Sequence, residues 1–387
     1  METDIYKLHN KIKHYEWGST QLLPQFLGIE NSRGIPHAEM WMGTHRLSAS
    51  QVQRDGRSVS LTEISGELPF LFKLLAVEKP LSIQAHPNKT QAAEGFNREE
   101  AAGLSLKNPM RNYKDPNHKP EIVCAITPFT LMAGFREPER ICKSLEEFLS
   151  IALPLKEIIS SLFRALEAGS LSSFFRILNN FSSLERQYLG NFILEKKPVS
   201  GGEISPEQWE LMKSLAAAYS GDPAVISPLY LNLLTLQPGQ AVFVPAGTLH
   251  AYVKGFGAEL MANSDNVLRG GLTPKYVDTG ELMKILYFVP FIPQIITPPE
   301  SPGWYCYYTP CSDFTLALMR GGEMVFPEKE QAICIVTEGE LKACGRTIKK
   351  GESFFIPKTD GDILFDGDYS LFAAYAGSAG AETGNVP

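Results

Sequence analysis

A glutamine and a histidine stand two residues apart in LSIQAHP (81–87), a stretch that otherwise has the composition of a β-strand. Side chains alternate across a strand, so Ser82, Gln84 and His86 project from one face and the apolar residues between them project from the other. A polar face is either exposed to solvent or turned into an enclosed site, where leaving a polar group unpaired is costly. The strand alone does not decide between these two arrangements.

Two residues farther along the chain favour the enclosed site. Glu121 begins the otherwise apolar run EIVCAI after Pro120, a position at which a carboxylate needs a cation. His250 closes the turn PAGTLH and supplies a second imidazole. Two imidazoles, one carboxylate and one amide form a ligand set that zinc or iron accepts. A divalent ion with a single carboxylate ligand keeps a net positive charge, so it would remain a Lewis acid.

Cationic residues lie on neighbouring segments. Lys73 is inside the apolar run FLFKLLAV, where its charge needs a partner unless the side chain reaches solvent at the strand end. The segment LRGGLTPK carries Arg269 and Lys275 among glycines, a composition typical of a loop that approaches a ligand closely and also of an ordinary surface turn. Lysines suit phosphate oxygens, and an arginine suits an oxyanion that its planar guanidinium can contact. These segments are therefore compatible with a small anionic ligand.

The bulk composition limits the classes of partner. The chain has 387 residues, of which 44% are hydrophobic and 20% charged, as in globular proteins of more than one domain. A formal charge of −7 disfavours nucleic acid, although a cleft can still focus a local basic cluster. The six cysteines form no Cys-x-x-Cys pair, which argues against disulfides and a thiolate metal site. No apolar run reaches the roughly 18 residues of a membrane span, and no signal sequence is recognisable. We therefore expect a cytoplasmic protein without a membrane partner.

The distribution of residue types along the sequence divides the chain into three parts. Residues 1–136 contain short β-type runs punctuated by Pro, Asn and Gly, whereas 137–224 has apolar residues at spacings of three and four. β-Type texture then returns and continues to the C-terminus. We therefore predict a mainly β fold with an α insertion at 137–224. A discontinuous β domain would comprise 1–136 and 225–290, and a second β domain 291–387.

One helix of the insertion can be placed from its start signals. SPEQWELMKSLAAAYS (205–220) has helical periodicity and begins with a serine followed by a proline. Serine is a favoured cap, and proline is tolerated at the first helical position because its missing N–H would be unpaired there. The pattern predicts a helix with Ser205 as its cap and Pro206 as its first residue.

The turn before His250 has a second copy near the C-terminus. Gly239 and Pro245 enclose five residues, as do Gly351 and Pro357, so each strand would open at a turn glycine and close at a corner proline. This spacing is similar to the second signature of the cupin barrels, a jelly-roll family. Only the first copy continues to a histidine at the spacing of a cupin metal ligand. The resemblance implies two cupin-like β domains, of which the C-terminal one has no metal.

Taken together, six blocks of the sequence resemble the type I phosphomannose isomerases. The blocks are YEWGS, AEMWMGTH, FLFKLLAVEKPLSIQAHP, YKDPNHKPE, PAGTLHAY and SDNVLRGGLTPK, which occur in that family's order. The resemblance implies an enzyme with one zinc ion per chain that interconverts mannose 6-phosphate and fructose 6-phosphate. It also implies a cupin catalytic domain, an inserted helical domain and a C-terminal β domain. We expect a monomer whose partner is the small sugar phosphate.

The resemblance also implies roles for individual residues. The zinc ligands would be Gln84, His86, Glu121 and His250. The phosphate would be held by Lys73, Ser82 and Lys275. The sugar pocket would be lined by Trp17, His118, Lys119, Tyr252, Glu259 and Asp265. The residue usually labelled catalytic would be Arg269. The sequence departs from the family at Glu16, where alanine is common, and at Lys254, where asparagine is common.

Such an isomerisation removes a proton from the carbon beside a carbonyl and returns it to the neighbouring carbon through an enediolate. The metal and Arg269 would stabilise the developing oxyanion. Glu259 and Lys119 are equal candidates for the base, and Asp265 is a candidate for ring opening. Two other functions stay open. One is a mononuclear iron cupin oxygenase, since two histidines and a carboxylate also form the iron facial triad; the other is a non-catalytic sugar-phosphate binder.

Overall fold

Two large antiparallel β-sheets and a group of helices form the computed structural model, which describes residues 5–151 and 156–377. The larger sheet has eleven strands and the smaller has seven. The protein is mainly β with helices, as the sequence predicts. None of the helices in these two ranges is both long and apolar enough to cross a lipid bilayer.

The strands and helices fall into three groups along the chain. Before the helical part they are β1 (Tyr6–Lys7), β2 (Lys11–Lys13), α1 (Leu22–Leu27), β3 (Glu39–Gly43), β4 (Gln51–Arg54), β5 (Arg57–Ser60), α2 (Thr62–Ser65), β6 (Phe70–Val77), β7 (Ile83–Ala85), α3 (Lys89–Ala101), β8 (Glu121–Ala125) and β9 (Phe129–Phe135). The helical part contains α4 (Pro138–Ile151), α5 (Lys156–Glu167), α6 (Leu171–Asn179), α7 (Ser183–Glu195) and α8 (Pro206–Ala218). It is followed by a 3-10 turn (Pro223–Ile226), α9 (Ser227–Tyr230), β10 (Leu231–Leu236), β11 (Ala241–Val244), β12 (His250–Ala262), β13 (Leu268–Gly271), α10 (Thr279–Ile285), β14 (Ile295–Ile296), β15 (Gly303–Tyr307), β16 (Thr315–Arg320), β17 (Met324–Val325), β18 (Ala332–Ala343), β19 (Arg346–Lys349), β20 (Ser353–Ile356), β21 (Leu364–Phe365) and β22 (Tyr369–Tyr375).

Strand β12 pairs with two different sets of strands in the larger sheet. Its second half pairs with β6 and β8, and its first half pairs with β7 and β9. Gly255 lies where the partners change, with a φ of 132°, and a Cβ there would stand 2.6 Å from the carbonyl oxygen of Pro128. Only glycine permits this close approach. Gly255 therefore lets β12 bend, so that the two halves of the strand contact different neighbouring strands.

The prediction for the helix after Ser205 is confirmed. Helix α8 begins at Pro206, and the Ser205 hydroxyl accepts a hydrogen bond from the N–H of Gln208, whose side chain accepts one from the N–H of Ser205. The other helices of this part bury the apolar residues of their three-and-four spacing in a core that includes Phe148 and Trp209. Residues 152–155 of the predicted helical part lie outside the described residues.

Several helices lie outside the predicted insertion, and the longest of them is α3. Residues 89–101, which lie within the region predicted to be β-type, form α3. The helix begins at a capping box, in which Asn88 and Gln91 bond each other's backbone N–H groups. It buries little of its surface, with Ala92 and Gly95 as its buried residues. The local capping residues therefore determine this helix, and the weak apolar periodicity hid it from the sequence pattern.

The repeated turn is present at both predicted positions. Gly239 and Gly351 have φ angles of 85° and 84°, in the left-handed region that favours glycine. Strands β11 and β20 follow them and end directly before Pro245 and Pro357. The two copies are thus equivalent in local structure, and the smaller sheet contains the second.

Two short strands cross the predicted domain boundaries, which is a correction to them. Strand β1, at the N-terminus, pairs with β20 of the smaller sheet. Strand β14, within 291–387, pairs with β11 of the larger sheet. The sheets also share one apolar core, in which Phe72 and Leu260 pack with Ile333 and others. Pairing between strands that are distant along the chain depends on the tertiary fold and leaves no local pattern in a two-residue strand.

Candidate metal centre and active site

The predicted metal ligands converge around β12. His250 is the first residue of β12 and lies directly across from Gln84 of β7. Glu121 is the first residue of β8 and lies across from Met261, near the other end of β12. His86 directly follows β7. The bend of β12 therefore brings together residues from three strands that are far apart in the sequence.

The distances between ligand atoms fit a shared ion. Glu121 Oε1 is 3.3 Å from His86 Nε2, and Glu121 Oε2 is 3.1 Å from His250 Nε2. The three side chains are at most 1% exposed, and their ligand atoms all lie within 4.8 Å of one another. Zinc bonds nitrogen and oxygen at about 2.0–2.2 Å in tetrahedral geometry, which puts neighbouring ligand atoms roughly 3.4 Å apart.

The hydrogen bonds around the histidines orient them toward this point. His86 donates from Nδ1 to the carbonyl of Asn266 at 2.6 Å, and His250 donates from Nδ1 to the carbonyl of Thr248 at 3.0 Å. Each Nε2 is then the unprotonated nitrogen and faces the site. His86 Nε2 and Glu121 Oε1 are buried without a hydrogen-bond partner. Buried polar atoms of this kind need a ligand, so the residues fit a cation.

The fourth predicted ligand borders the same space. The side-chain amide nitrogen of Gln84 is 3.3 Å from His250 Nε2. Tyr252 adds a hydroxyl that donates to Glu121 Oε2 at 3.4 Å. The amide and the hydroxyl are neutral, so Glu121 supplies the only carboxylate among the four predicted ligands.

Protonation states match those that metal binding requires. Burial lowers the pKa of His86 to about 4, and the charge of Lys119 adds to this effect. Burial would raise the pKa of Glu121, but Lys119 and His86 hold it well below its ordinary value. Lys119 Nζ is 2.8 Å from Glu121 Oε1, an ion-pair contact whose angles are not those of a hydrogen bond. A neutral imidazole and an ionised carboxylate are the forms that bind a divalent ion.

A cavity of about 740 Å³ opens above this centre. The predicted site residues that line it are Trp17, Lys73, Ser82, Gln84, Lys119, Glu121, Tyr252, Glu259, Asp265, Arg269 and Lys275. His86 and His250 are buried around Glu121 at its floor. The structure therefore brings together Glu259 and residues from five of the six blocks of the sequence, in a space large enough for a small phosphorylated sugar.

His118 lies elsewhere, and the expectation that it lines the pocket is corrected. Its Nε2 donates to Asp313 Oδ2 at 2.9 Å, on the side of the C-terminal sheet. Lys119 and Glu121 project into the site from the same short segment. Alternate residues of an extended chain point to opposite sides, so His118 points away.

Among the predicted site residues, Arg269 and Lys275 are cations that face the cavity without a carboxylate partner. Arg269 and Lys275 make no ion pair with any residue in the described ranges. Burial lowers the pKa of Arg269, and burial together with Arg269 lowers the pKa of Lys275. Two unneutralised cations on one wall form a site for an anion. Asp265, by contrast, is paired with His45 and Arg46 at 3.2 Å each.

The sequence patterns missed several residues of the cavity wall. Glu39 and Trp41 line it, and the indole N–H of Trp41 donates to Glu39 Oε2 at 2.5 Å. Alternation along β3 puts both on one face and could have identified them. Tyr219 reaches the cavity from the end of α8. No local signal points to Tyr219, because only the packing of the helical part brings it there.

Comparison with known proteins identifies relatives over nearly the whole chain. Residues 5–138 match the family model for the phosphomannose isomerase type I catalytic domain. The mannose-6-phosphate isomerase of Escherichia coli K12 is 36% identical over 96% of this chain and 99% of its own. The human mannose-6-phosphate isomerase is 33% identical over 94% of this chain and 93% of its own.

Solved structures are similar over nearly the whole chain. The crystal structure of mannose 6-phosphate isomerase from Salmonella typhimurium bound to fructose 6-phosphate and zinc has 35% sequence identity and a TM-score of 0.85. It is matched over 97% of this chain and 100% of that chain. The chain belongs to the type I phosphomannose isomerase family.

Proposed function

We propose that this protein is a zinc-dependent isomerase that interconverts mannose 6-phosphate and fructose 6-phosphate. The observation that carries the proposal is the buried group of His86, Glu121 and His250 at the floor of a cavity whose wall holds Arg269 and Lys275. One cavity thus contains both a candidate metal site and a candidate anion site. The related Salmonella structure contains both zinc and fructose 6-phosphate.

The zinc ligands in this proposal are Gln84, His86, Glu121 and His250. His86 Nε2 and Glu121 Oε1 are buried and make no hydrogen bond, which supports the assignment. A bound zinc ion would supply positive charge close to the sugar oxygens, which favours the negative charge that develops during isomerisation.

Two groups of this chain can hold the proton that moves between the reacting carbons. Burial raises the pKa of the Glu259 carboxyl even though Lys73 opposes the rise, which brings it toward the range that a general base needs. Lys119 is the other, and its ammonium is 2.8 Å from Glu121. Glu259 is supported by its raised pKa, and Lys119 by its position beside the metal centre.

The remaining roles follow from charge and position. Arg269 is half-buried in the wall of the cavity, and its guanidinium would stabilise the oxyanion of the enediolate. Lys275 and the Ser82 hydroxyl would hold the phosphate, which fixes the sugar relative to the reacting groups. Lys73, the third predicted phosphate ligand, is paired with Glu259 at 3.1 Å instead. Asp265, paired with His45 and Arg46, would assist ring opening. Trp17 and Tyr252 would border the sugar.

We infer the domain layout that the sequence predicts, except that β1 pairs within the smaller sheet and β14 within the larger one. The catalytic part would be a cupin domain formed by 1–136 and 225–290, and 291–387 a cupin-like domain without a metal. The equivalent turns at Gly239 and Gly351 support this inference. We still expect the enzyme to be a monomer in the cytoplasm.

A coupled assay tests the proposal. Purified protein is given mannose 6-phosphate, and fructose 6-phosphate is measured before chelation, after chelation and after zinc is restored. Turnover that is lost and regained supports the function. Binding without product would indicate a sugar-phosphate binder, and oxygen uptake with iron would indicate an oxygenase.

A further inference from the structure

The loop that carries Arg269 and Lys275 has a backbone conformation that its sequence does not favour. Gly271 has a φ of 131°, and Leu272 has a φ of 54°. Leucine rarely adopts the left-handed region, because its Cβ is crowded there. Leu272 is nevertheless buried, and it lines the cavity beside Lys275. Contacts from outside the loop must therefore hold this turn.

The end of the helical part provides these contacts through Asp222. Its Oδ2 accepts a hydrogen bond from the N–H of Leu272 at 2.6 Å. Its Oδ1 accepts another from the N–H of Ala224 at 2.9 Å, within the 3-10 turn. One carboxylate thus joins the helical part to the loop, with bonds that are stronger than those of a neutral acceptor.

Packing around Gly271 adds to the contact between the loop and the helical part. A Cβ on Gly271 would lie 2.4 Å from the Cβ of Ala224 and 3.2 Å from Asp222 Oδ1. The side chain of Leu272 belongs to the same apolar core as Ala224 and Val225. The glycine therefore lets the loop touch the helical part, and the leucine anchors it there.

A second contact from the same region reaches the segment that precedes β7. The hydroxyl of Tyr219 donates to the carbonyl of Pro80 at 3.2 Å, and Tyr219 lines the cavity. Pro80 directly precedes the segment that carries Ser82 and Gln84. The end of the helical part therefore touches two of the segments that bring polar groups to the cavity.

We propose that Asp222 is a positioning residue for the sugar-phosphate site. By accepting from the N–H of Leu272 it fixes the turn that holds Arg269 and Lys275 against the cavity, which gives the inserted helical part a function in catalysis. The inference rests on the proposed function, since that function assigns these two cations to the substrate.

The test compares Asp222→Ala and Asp222→Asn with Ser205→Ala. Ser205 is the matched control, because it also caps a helix of this part through its side chain but does not touch the loop. We expect D222A to keep one zinc per chain, to raise KM for mannose 6-phosphate at least tenfold and to lower kcat severalfold. D222N keeps one acceptor oxygen and should raise KM less. S205A should lower Tm with KM unchanged.

A purely structural role for Asp222 predicts the opposite pattern. If D222A lowers Tm as S205A does and leaves KM unchanged, the inference is overturned. If D222A does not fold, D222N carries the same test, and an unchanged KM in D222N overturns it. If the wild type does not isomerise the sugar, the proposed function fails. The inference is then judged from the Kd for mannose 6-phosphate, which D222A must still raise.

Discussion

Lys73 and Glu259 face each other directly across β6 and β12, with 3.1 Å between Nζ and Oε2. Their side chains are 8% and 4% exposed. Burial alone would lower the pKa of Lys73, but Glu259, Glu39 and Glu121 raise it, so its ammonium remains charged. Lys73 therefore neutralises a group of carboxylates in the cavity as well as the one it touches.

Replacing Lys73 by Met should destabilise the protein strongly, because it leaves buried carboxylates without a cation. Removing one partner of a buried pair costs about 3–5 kcal/mol, and we expect a loss of that size at neutral pH. Glu259→Gln should cost less, since other carboxylates remain near the ammonium. The measurement is the free energy of unfolding in urea.

The control for this prediction is Lys7→Met. Lys7 pairs with Glu352 at the surface, where the two side chains are 55% and 30% exposed. Exposed pairs contribute about 0–1 kcal/mol, so this variant should unfold nearly as the wild type does. Equal losses in K73M and K7M would show that burial of the Lys73 pair does not determine its energy.

Zinc should stabilise the folded protein as well as activate it. Chelation leaves His86 Nε2 and Glu121 Oε1 buried without a hydrogen bond, which is unfavourable, so Tm should fall when the metal is removed. Glu121→Gln should lose zinc and activity together, and its Tm should not respond to chelator. Glu352→Gln removes a surface carboxylate and should respond as the wild type does. Metal analysis and calorimetry measure both effects.

The features predicted from the sequence are those with a local physical cause. The cap at Ser205 and the turn glycines at Gly239 and Gly351 are determined by a few neighbouring residues, and the structure contains all three. Strand alternation likewise puts Lys119 and Glu121 on one side of their segment. The same rule, applied to His118, would have excluded it from the pocket.

The features that the sequence could not predict depend on distant contacts. Strand β1 pairs with a partner near the other end of the chain, and its two residues carry no pattern of their own. Tyr219 and Asp222 follow a helix whose sequence indicates only a helix. Their contacts with Pro80 and Leu272 exist because the helical part packs against the cavity loops.

Asp265 should contribute stability that depends on acidity in a defined window. Burial would raise its pKa, but His45 and Arg46 lower it from 3.8 to about 2. A carboxyl with a depressed pKa stabilises the folded state above its unfolded pKa, and loses this contribution as the pH falls through its folded pKa. The stability difference between wild type and Asp265→Asn should therefore be constant from pH 7 to about 5 and narrow from pH 4 toward 2.

Urea unfolding of chelated protein at several pH values measures this difference. Chelation keeps zinc release from contributing to the pH dependence. A difference that already narrows between pH 7 and 5 would show that Asp265 does not titrate in the depressed range, and that its contacts with His45 and Arg46 do not control its charge.

Arg269 lines the cavity and has no ion-pair partner within the described residues. It pairs with Gln84 through the backbone, so the strand that carries a predicted zinc ligand also fixes the position of the arginine. Its guanidinium lines the cavity and forms no ion pair within residues 5–151 and 156–377. Removing it therefore leaves no buried carboxylate unpaired, and the predicted zinc ligands keep their own hydrogen bonds.

Arg269→Ala should consequently keep its zinc content and Tm while kcat falls by about 10²–10³, the usual loss when one donor to a developing oxyanion is removed. Arg269→Lys keeps the charge but not the planar guanidinium, so it should recover only part of the rate. Arg54→Ala, at an exposed position on β4, is the control for the loss of an arginine. Steady-state kinetics with metal analysis decide the matter: near-normal turnover in R269A would remove Arg269 from the chemistry, and zinc loss would make it a structural support of the metal centre.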